Sequence, residues 1–185
     1  MTTLHVVRHG QSTWNAAGLL QGQAPGPQLT ALGHEQAKAA ADSLSSVQVD
    51  ALYSSDQPRA VQTARHLATR LGLDVRLTAA LRERGYGVLE GQPSARAADL
   101  AGDVDWLDPD VRPGGAESLR DVHARVGALL ARCVDEHPDG AVVLVSHGDT
   151  IRVLAACAAG LEAHEIPWTD VGNGSVTTLV VPAPR

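Results

Sequence analysis

The chain has 185 residues, 44% hydrophobic and 19% charged, which is enough for one domain with a substantial core and excludes extended disorder. The formal net charge of -6 excludes general affinity for nucleic acid, because a phosphate backbone requires a basic surface. No apolar stretch approaches the ~20 residues of a membrane-spanning helix and no secretion signal is visible, so we expect a cytoplasmic protein without membrane partners.

The hydrophobic pattern predicts strands that alternate with helices. In chain order these are a strand at 4–7, a helix at 30–44, a strand at 51–53, a helix between 56 and 72, a strand at 75–77, a helix at 118–136, a strand at 141–145, a helix at 151–159 and two short strands that flank residues 173 and 174. Residues 91–115 contain prolines among small and acidic residues and are predicted to form a mobile or short-helical excursion.

Local signals set the ends of two helices. Thr30 and Asp56 suit N-cap positions, Pro58 suits a first turn, and Gly72 suits the residue after a helix. The alternation of strands and helices predicts a single α/β domain with a largely parallel sheet. The sequence leaves a homodimer open.

Two of the predicted strands end in the same dipeptide, at His9-Gly10 and at His147-Gly148. In an open α/β sheet, ligands bind beyond the carboxyl ends of the strands, so both histidines would project into one crevice. The glycines allow a close approach of the backbone to a ligand. A single such histidine would more often end a strand and bond the next loop, but two in matching contexts favour a functional site.

Arg8 and Arg59 could supply the local positive charge that a phosphate site requires in an acidic protein. Arg59 falls in a predicted first turn, where a cation opposes the helix dipole at a cost of ~0.3–1 kcal/mol unless an anion binds there. A surface arginine paired with Asp56 is an equal alternative. Arg8 follows a buried strand and needs an anionic partner, either a carboxylate or a ligand phosphate.

Five ordered blocks make the chain resemble the histidine phosphatase superfamily, which contains phosphoglycerate mutases and many phosphatases. They are RHG at 8–10 with Asn15 and Gln21-Gly22 behind it, SSDQPRAVQTA at 54–64, LRERGYGVLEG at 81–91, PGGAESLRDVHARV at 113–126 and VSHG at 145–148. The likeness covers nearly the whole chain. It implies a three-layer α/β/α domain with a largely parallel central sheet, similar to phosphoglycerate mutase.

The resemblance implies a role for each matching residue. His9 would attack phosphorus and form a phosphohistidine, with its other ring nitrogen bonded to a backbone carbonyl. Arg8, Arg59 and His147 would surround the transferring oxygens. Glu83 would protonate the departing alcohol and later take a proton from water. The same resemblance places these residues in contact with the substrate: Asn15, Gln21, Gly22, Tyr86 and Gly148.

The pKa of Glu83 is left open by the sequence, because Arg82 and Arg84 would lower it whereas burial would raise it. Without the resemblance, a salt bridge in a loop is the simpler interpretation of Glu83. No metal or cofactor is expected, because the histidines lack zinc-like spacing and the carboxylates are not clustered. Cys133 and Cys157 lie among apolar neighbours and are predicted to be buried thiols.

Departures from the family pattern bear on the substrate. Residues 26–30 read GPQLT, where many members have an acidic residue ahead of the LT pair. Ala116 interrupts the common GGES block, which leaves the role of Glu117 open. The excursion at 91–115 is short and contributes only Arg96 and Arg112, which favours a phosphatase over a mutase and disfavours a highly anionic substrate.

We therefore expect a phosphomonoesterase that acts on a small phosphorylated metabolite. Three alternatives remain: a phosphoglycerate mutase, a protein-phosphohistidine phosphatase, and a non-catalytic module that binds phosphate. The presence of His9, Glu83 and His147 together argues against the last, because a binding module has no chemical need for all three.

Overall fold

The computed structural model describes residues 1–102 and 104–182, in which strands and helices alternate as predicted. The elements are β1 (Thr2–Arg8), α1 (Thr13–Ala16), α2 (Ala31–Ser43), β2 (Ala51–Ser55), α3 (Pro58–Leu71), β3 (Val75–Thr78), α4 (Ala97–Ala101), α5 (Leu119–Glu136), β4 (Ala141–Ser146), α6 (Gly148–Ala158) and β5 (Val176–Val181). Single turns of 3-10 helix lie at Ala79–Leu81, Gly87–Leu89, Ser94–Arg96 and Pro113–Gly115. None of the helices in these residues is long and apolar enough to cross a lipid bilayer.

The strands form one sheet in the order β3-β2-β4-β1-β5. β3, β2, β4 and β1 are parallel, and β5 runs antiparallel to β1 at the edge. Arg8 lies opposite Ser146 in the register of β1 and β4, so His9 and His147 leave the sheet side by side. The predicted largely parallel sheet is confirmed.

Helices cover both faces of the sheet, because successive side chains of each strand point in opposite directions. Leu4 and Val6 of β1 belong to a core that contains residues of α5 and α6. The next residue of the strand, Val7, points to the other face and belongs to a second core with residues of α2 and α3. The three-layer arrangement is therefore confirmed, with the functional edge of the sheet between the two cores.

The predicted helix ends are mostly correct. Thr30 caps α2 through its side chain, and Gly72 ends α3 in the left-handed conformation, with φ of 69°. The prediction of Asp56 as the N-cap of α3 is wrong, because the N-cap is Gln57. The Asp56 carboxylate is held instead by the Arg82 guanidinium at 2.5 Å, which draws it away from the start of the helix.

Two further expectations change. One strand, β5, follows residues 173 and 174, and the described residues before them form turns rather than a second strand. The reason is that Gly174 N–H bonds back to the carbonyls of Arg8 and His9, which places the turn beside the end of β1. α6 begins at Gly148 rather than at 151. The excursion at 91–115 contains short helices, as predicted.

The two cysteines are free thiols carried by α5 and α6. Cys133 is buried, as predicted, whereas Cys157 is only half-buried. Burial raises the pKa of each thiol to about 11, so both stay protonated at neutral pH.

Candidate active site

His9 and His147 lie together at the carboxyl edge of the sheet, as the paired His-Gly motifs predict. Their ring centroids are 5.0 Å apart, and the rings are tilted by 58°. Both side chains are buried, with exposed fractions of 1% and 0%. The position of His9 depends on Gly10, because a side chain there would lie 2.1 Å from the carbonyl oxygen of Gly33 in α2.

His9 has one ring nitrogen free for chemistry. Its Nδ1 lies 2.7 Å from the Gly10 carbonyl oxygen, so Nδ1 carries the hydrogen and Nε2 keeps its lone pair. Burial, followed by the charges of Arg59 and Arg8, lowers the pKa of His9 well below its usual value. The imidazole is therefore neutral at neutral pH, which is the form that can attack an electrophile.

His147 is oriented by a chain of hydrogen bonds. The Ser55 hydroxyl oxygen accepts from Gln57 N–H at 3.2 Å, and its own hydrogen is free to donate to His147 Nε2 at 2.9 Å. Donation by Ser55 assigns the hydrogen of a neutral His147 to Nδ1. Burial is the main reason that the pKa of His147 lies well below its usual value, so its imidazole is neutral at neutral pH.

Arg59 is fully buried in the first turn of α3. Its Nη2 donates to the Gly22 carbonyl at 2.8 Å, and burial lowers its pKa to about 10, which still leaves the guanidinium charged at neutral pH. Asp56 is paired with Arg82. The alternative of a surface arginine paired with Asp56 is therefore wrong.

Arg8 completes a cluster of buried donors. It is half-buried, and its Nη1 donates to the Val171 carbonyl. Among residues 1–102 and 104–182, Arg8 Nε, Arg59 Nε and His147 Nδ1 are buried and have no hydrogen-bond partner. Buried donors without partners are costly, and an anion with several oxygens would satisfy all three.

The carboxylate of Glu83, a residue of the loop after Leu81, lies near this cluster and against the first turn of α6. Its carboxylate accepts hydrogen bonds from the backbone N–H groups of Thr150 at 3.2 Å and Asp149 at 3.4 Å. Burial, followed by the charge of Asp149, raises the pKa of Glu83, whereas the hydrogen bond from Arg84 N–H and the charges of Arg59 and Arg8 oppose the rise. A raised pKa suits a carboxyl group that must donate a proton.

The two arginines beside Glu83 in the sequence have different roles. Arg82 is 41% exposed and pairs with Asp56. Arg84 is fully buried, and its guanidinium donates to the carbonyls of Glu117 at 3.1 Å, Trp106 at 3.2 Å and Val111 at 2.8 Å. Both guanidinium groups have other partners, so burial governs the pKa of Glu83.

Three predicted substrate-binding residues follow His9 in the chain, Asn15 in α1 and Gln21 and Gly22 in the loop after it. The Asn15 amide oxygen accepts from Ser12 N–H at 3.0 Å and from Asn173, which leaves its NH₂ group as a donor. Gln21 accepts from the Ser12 hydroxyl at 2.6 Å, and the Gly22 carbonyl is a partner of Arg59. Their contact with a substrate remains a prediction.

The other two predicted substrate-binding residues flank Glu83. The Tyr86 hydroxyl donates to the Asp149 carboxylate, so only its ring is free to contact a substrate. Gly148 faces the centre of the site, because a Cβ atom there would lie 3.7 Å from both Arg8 Cζ and Glu83 Oε2.

Other residues that position the site were not identified from the sequence. The Gln57 amide donates to the Gly22 carbonyl at 2.9 Å and accepts from Glu83 N–H at 2.9 Å, which ties the two loops together. Asn173 donates to the His9 carbonyl at 3.1 Å. The Asn173-Gly174 dipeptide is a detectable turn signal, but its sequence predicts part of a hairpin rather than a contact with His9.

Glu117, whose role was open, supports the Glu83 loop from behind. Its carboxylate accepts from Gly85 N–H at 2.9 Å and from the Arg125 guanidinium at 3.0 Å. Arg125 also donates to the Glu83 carbonyl at 3.1 Å.

Within the described part of the chain, no group of three or more His, Cys, Asp or Glu side chains is arranged to hold a metal ion.

Known proteins share this sequence and architecture. A solved structure of a mycobacterial glucosyl-3-phosphoglycerate phosphatase superposes with a TM-score of 0.88 at 39% identity, over 96% of this chain and 92% of that one. A phosphoserine phosphatase from Entamoeba histolytica superposes with a TM-score of 0.83 at 27% identity, over 97% and 91% of the two chains.

A curated relative, the probable phosphoglycerate mutase GpmB of Enterobacter sp. (strain 638), is 34% identical over 97% of this chain and 85% of its own length. The sequence pattern of the histidine phosphatase superfamily (branch 1) matches residues 4–183. This match covers nearly the whole chain and includes every ordered block that suggested the resemblance. The chain belongs to the histidine phosphatase superfamily.

Proposed function

We propose that this protein is a phosphatase that hydrolyses small phosphomonoesters through a phosphohistidine on His9. The observation that carries the proposal is the neutral His9 ring, with Nε2 free, beside three buried donors without partners, which are Arg8 Nε, Arg59 Nε and His147 Nδ1. This arrangement matches what phosphoryl transfer needs from a protein, namely a positioned nucleophile and charge stabilisation of the equatorial oxygens.

In the first step, His9 Nε2 attacks phosphorus and the bond between phosphorus and the ester oxygen breaks. The departing oxygen takes the proton of the Glu83 carboxyl group, whose pKa is raised by burial. In the second step, a water molecule attacks the phosphohistidine and gives its proton to the Glu83 carboxylate. The nitrogen–phosphorus bond breaks, inorganic phosphate leaves, and His9 and Glu83 return to their starting forms.

We propose that the reaction proceeds without a metal ion. The positive charge that a metal would supply can come from Arg8 and Arg59, both of which lie near Glu83. Hydrolysis should therefore continue in the presence of a strong chelator, and restoration of a lost activity by an added divalent cation would contradict this part of the mechanism.

Hydrolysis is favoured over a mutase reaction by the arginines of the excursion. A mutase must hold a second acidic group of its substrate. Arg112 pairs with Asp121 at 2.7 Å, Arg96 is exposed, and neither arginine lines the pocket that contains Tyr86 and Asp149. The mutase remains the second candidate because the chain resembles the GpmB relative over 97% of its length.

The test is to trap the intermediate. After the enzyme is mixed with a ³²P-labelled phosphomonoester and denatured in alkali, we expect a label on the protein that is stable to base and labile to acid, as phosphohistidine is. His9→Ala should lose the label and lower the rate by more than about 10³-fold. His66→Ala, on the outer side of α3 against His34, is the matched control and should keep both. Full activity in His9→Ala would refute the mechanism.

A further inference from the structure

Beside Glu83 lies a pocket of about 360 Å³ with a largely apolar wall. The wall includes Leu20, Tyr86, Trp106, Leu107 and Trp168, so three of the five aromatic side chains of the protein are gathered here. Leu107 is 53% exposed and Trp168 is 40% exposed. Exposed apolar side chains grouped around a concavity mark a binding surface.

The pocket lies where it would contact the alcohol part of a phosphate ester. Asp149 lies in its wall, accepts from the Tyr86 hydroxyl, and donates its backbone N–H to Glu83 Oε2. An ester oxygen that receives the proton of Glu83 therefore has its carbon substituent next to this pocket. The phosphoryl group binds to the donors of Arg8 and Arg59, whose charges also act on Glu83.

The pocket offers no free cation to an acidic substituent. Arg84 is the one cationic side chain in its described wall, and each of its three nitrogens donates to a backbone carbonyl. Arg152 lies against the Trp168 ring at 5.2 Å, but its Nη1 pairs with the Asp149 carboxylate at 2.8 Å and its Nε donates to the Thr169 carbonyl at 2.7 Å. A carboxylate in this pocket would exchange its hydration for one neutral donor, the buried Trp106 indole N–H without a partner, and would be repelled by Asp149.

We infer, on the basis of the proposed function, that this pocket binds an uncharged ring, so that the preferred substrates are phosphomonoesters of neutral, ring-bearing alcohols. A flat ring bound against the indole side chains of this wall gains both apolar burial and aromatic contact. Esters whose alcohol carries a carboxylate or a second phosphate are disfavoured for lack of an ionic partner.

Three phosphate esters test this specificity. Benzyl phosphate carries a neutral ring, 4-carboxybenzyl phosphate adds one negative charge to the same ring, and methyl phosphate has no group that can reach the pocket. We expect kcat/KM for benzyl phosphate to exceed that for each of the other two by about tenfold or more. A 4-carboxybenzyl ester that is hydrolysed as well as the benzyl ester overturns the inference.

Trp168→Ala tests the pocket itself. It should lower kcat/KM for benzyl phosphate about tenfold and leave that for methyl phosphate within about twofold. Leu77→Ala, which removes another exposed apolar side chain from the edge strand β3, is the control and should change neither. An equal loss on both esters in Trp168→Ala overturns the inference.

The two proposals can fail separately. If no ester is hydrolysed in a manner that depends on His9, the proposed function fails, and the pocket is then tested by binding alone. Tryptophan fluorescence should still report tighter binding of a non-hydrolysable benzyl-type phosphonate than of its carboxylated analogue. Equal binding of the two phosphonates overturns the inference independently of catalysis.

Discussion

The two sides of the candidate site are built from different kinds of structure. On the phosphate side, Arg8 is the last residue of β1, and His9 and His147 directly follow β1 and β4. Arg59 lies in the first turn of α3. On the leaving-group side, most of the pocket wall comes from short helices and loops between 84 and 107, and Leu20, Asp149 and Trp168 complete it. Within that wall the Trp106 carbonyl is held by Arg84, whose guanidinium also donates to the carbonyls of Val111 and Glu117.

This difference separates chemistry from specificity. Strand ends are fixed by the ladder of the sheet, so they hold reacting atoms to the narrow tolerances that phosphoryl transfer needs. Loops accept sequence changes without loss of the core, so they can adapt to a different alcohol. Variants on the phosphate side should therefore affect all substrates equally, whereas variants on the other side should depend on the leaving group.

Glu83 stands between the two sides, and its substitution should have the largest effect. Glu83→Gln should lower kcat for benzyl phosphate by about 10²–10⁴-fold, because an alkoxide needs a proton to depart. The loss for 4-nitrophenyl phosphate should be much smaller, since nitrophenolate leaves without protonation. Glu35→Gln, on the exposed surface of α2, is the control. Equal losses on both esters would remove Glu83 from the role of acid.

The phosphate side could be predicted from the sequence because its signals are local. His9 and His147 end apolar runs, and the parallel register brings them together without any long-range information. The pocket wall could not be predicted in this way. Arg84 contacts carbonyls 22 to 33 residues away in the sequence, and a backbone carbonyl leaves no side-chain pattern to recognise. Asn173 was missed for the same reason, since it bonds to the backbone of a residue 164 positions away.

Arg59→Met should affect all esters alike. Removal of one charged donor from the transferring oxygens should lower kcat/KM by about 10²–10³-fold for methyl, benzyl and 4-nitrophenyl phosphates. Arg65→Met, on the exposed face of the same helix, is the control and should leave the rates unchanged. A loss that varies strongly with the leaving group would contradict the division of the site into two sides.

The pH dependence should follow the same division. Glu83 donates its proton only below its raised pKa, so kcat/KM for benzyl phosphate should fall as pH rises through that value. His9 must be neutral, and its lowered pKa places the acidic limb of the profile well below the usual range of histidine. Asp149→Asn removes a charge that raises the pKa of Glu83 and should move the basic limb to lower pH. An unmoved basic limb would assign it to another group.

Arg84→Met and Arg82→Met compare two adjacent arginines that differ in burial. Loss of the buried Arg84 guanidinium leaves three carbonyls without a donor and should lower the free energy of unfolding by about 2–5 kcal/mol. The exposed pair of Arg82 and Asp56 should contribute at most about 1 kcal/mol. Urea unfolding measures both values, and equal losses would contradict the assignment of Arg84 as the residue that holds the pocket wall.

The Arg84 substitution should also act on specificity. With Trp106 no longer held by its carbonyl, the ratio of kcat/KM for benzyl phosphate to that for methyl phosphate should fall several-fold. Arg84→Lys keeps the charge but cannot reach three carbonyls at once. Compared with Arg84→Met, it should restore part of the free energy of unfolding but little of the kcat/KM ratio of benzyl to methyl phosphate. A ratio that stays constant in both variants would mean that the pocket wall is held by other contacts.

Asn173→Ala should give the smallest effect. It tests the phosphate side through a residue of the turn before β5. Its side chain donates to the His9 carbonyl at 3.1 Å, so it positions the nucleophile through the backbone without touching the reacting atoms. Loss of about 1 kcal/mol corresponds to about fivefold in kcat. Because the bond acts on His9 and not on the alcohol, the loss should appear in kcat rather than KM and be the same for benzyl and methyl phosphates. Gln48→Ala, an exposed amide far from the edge, is the control, and a loss confined to benzyl phosphate would place Asn173 on the leaving-group side instead.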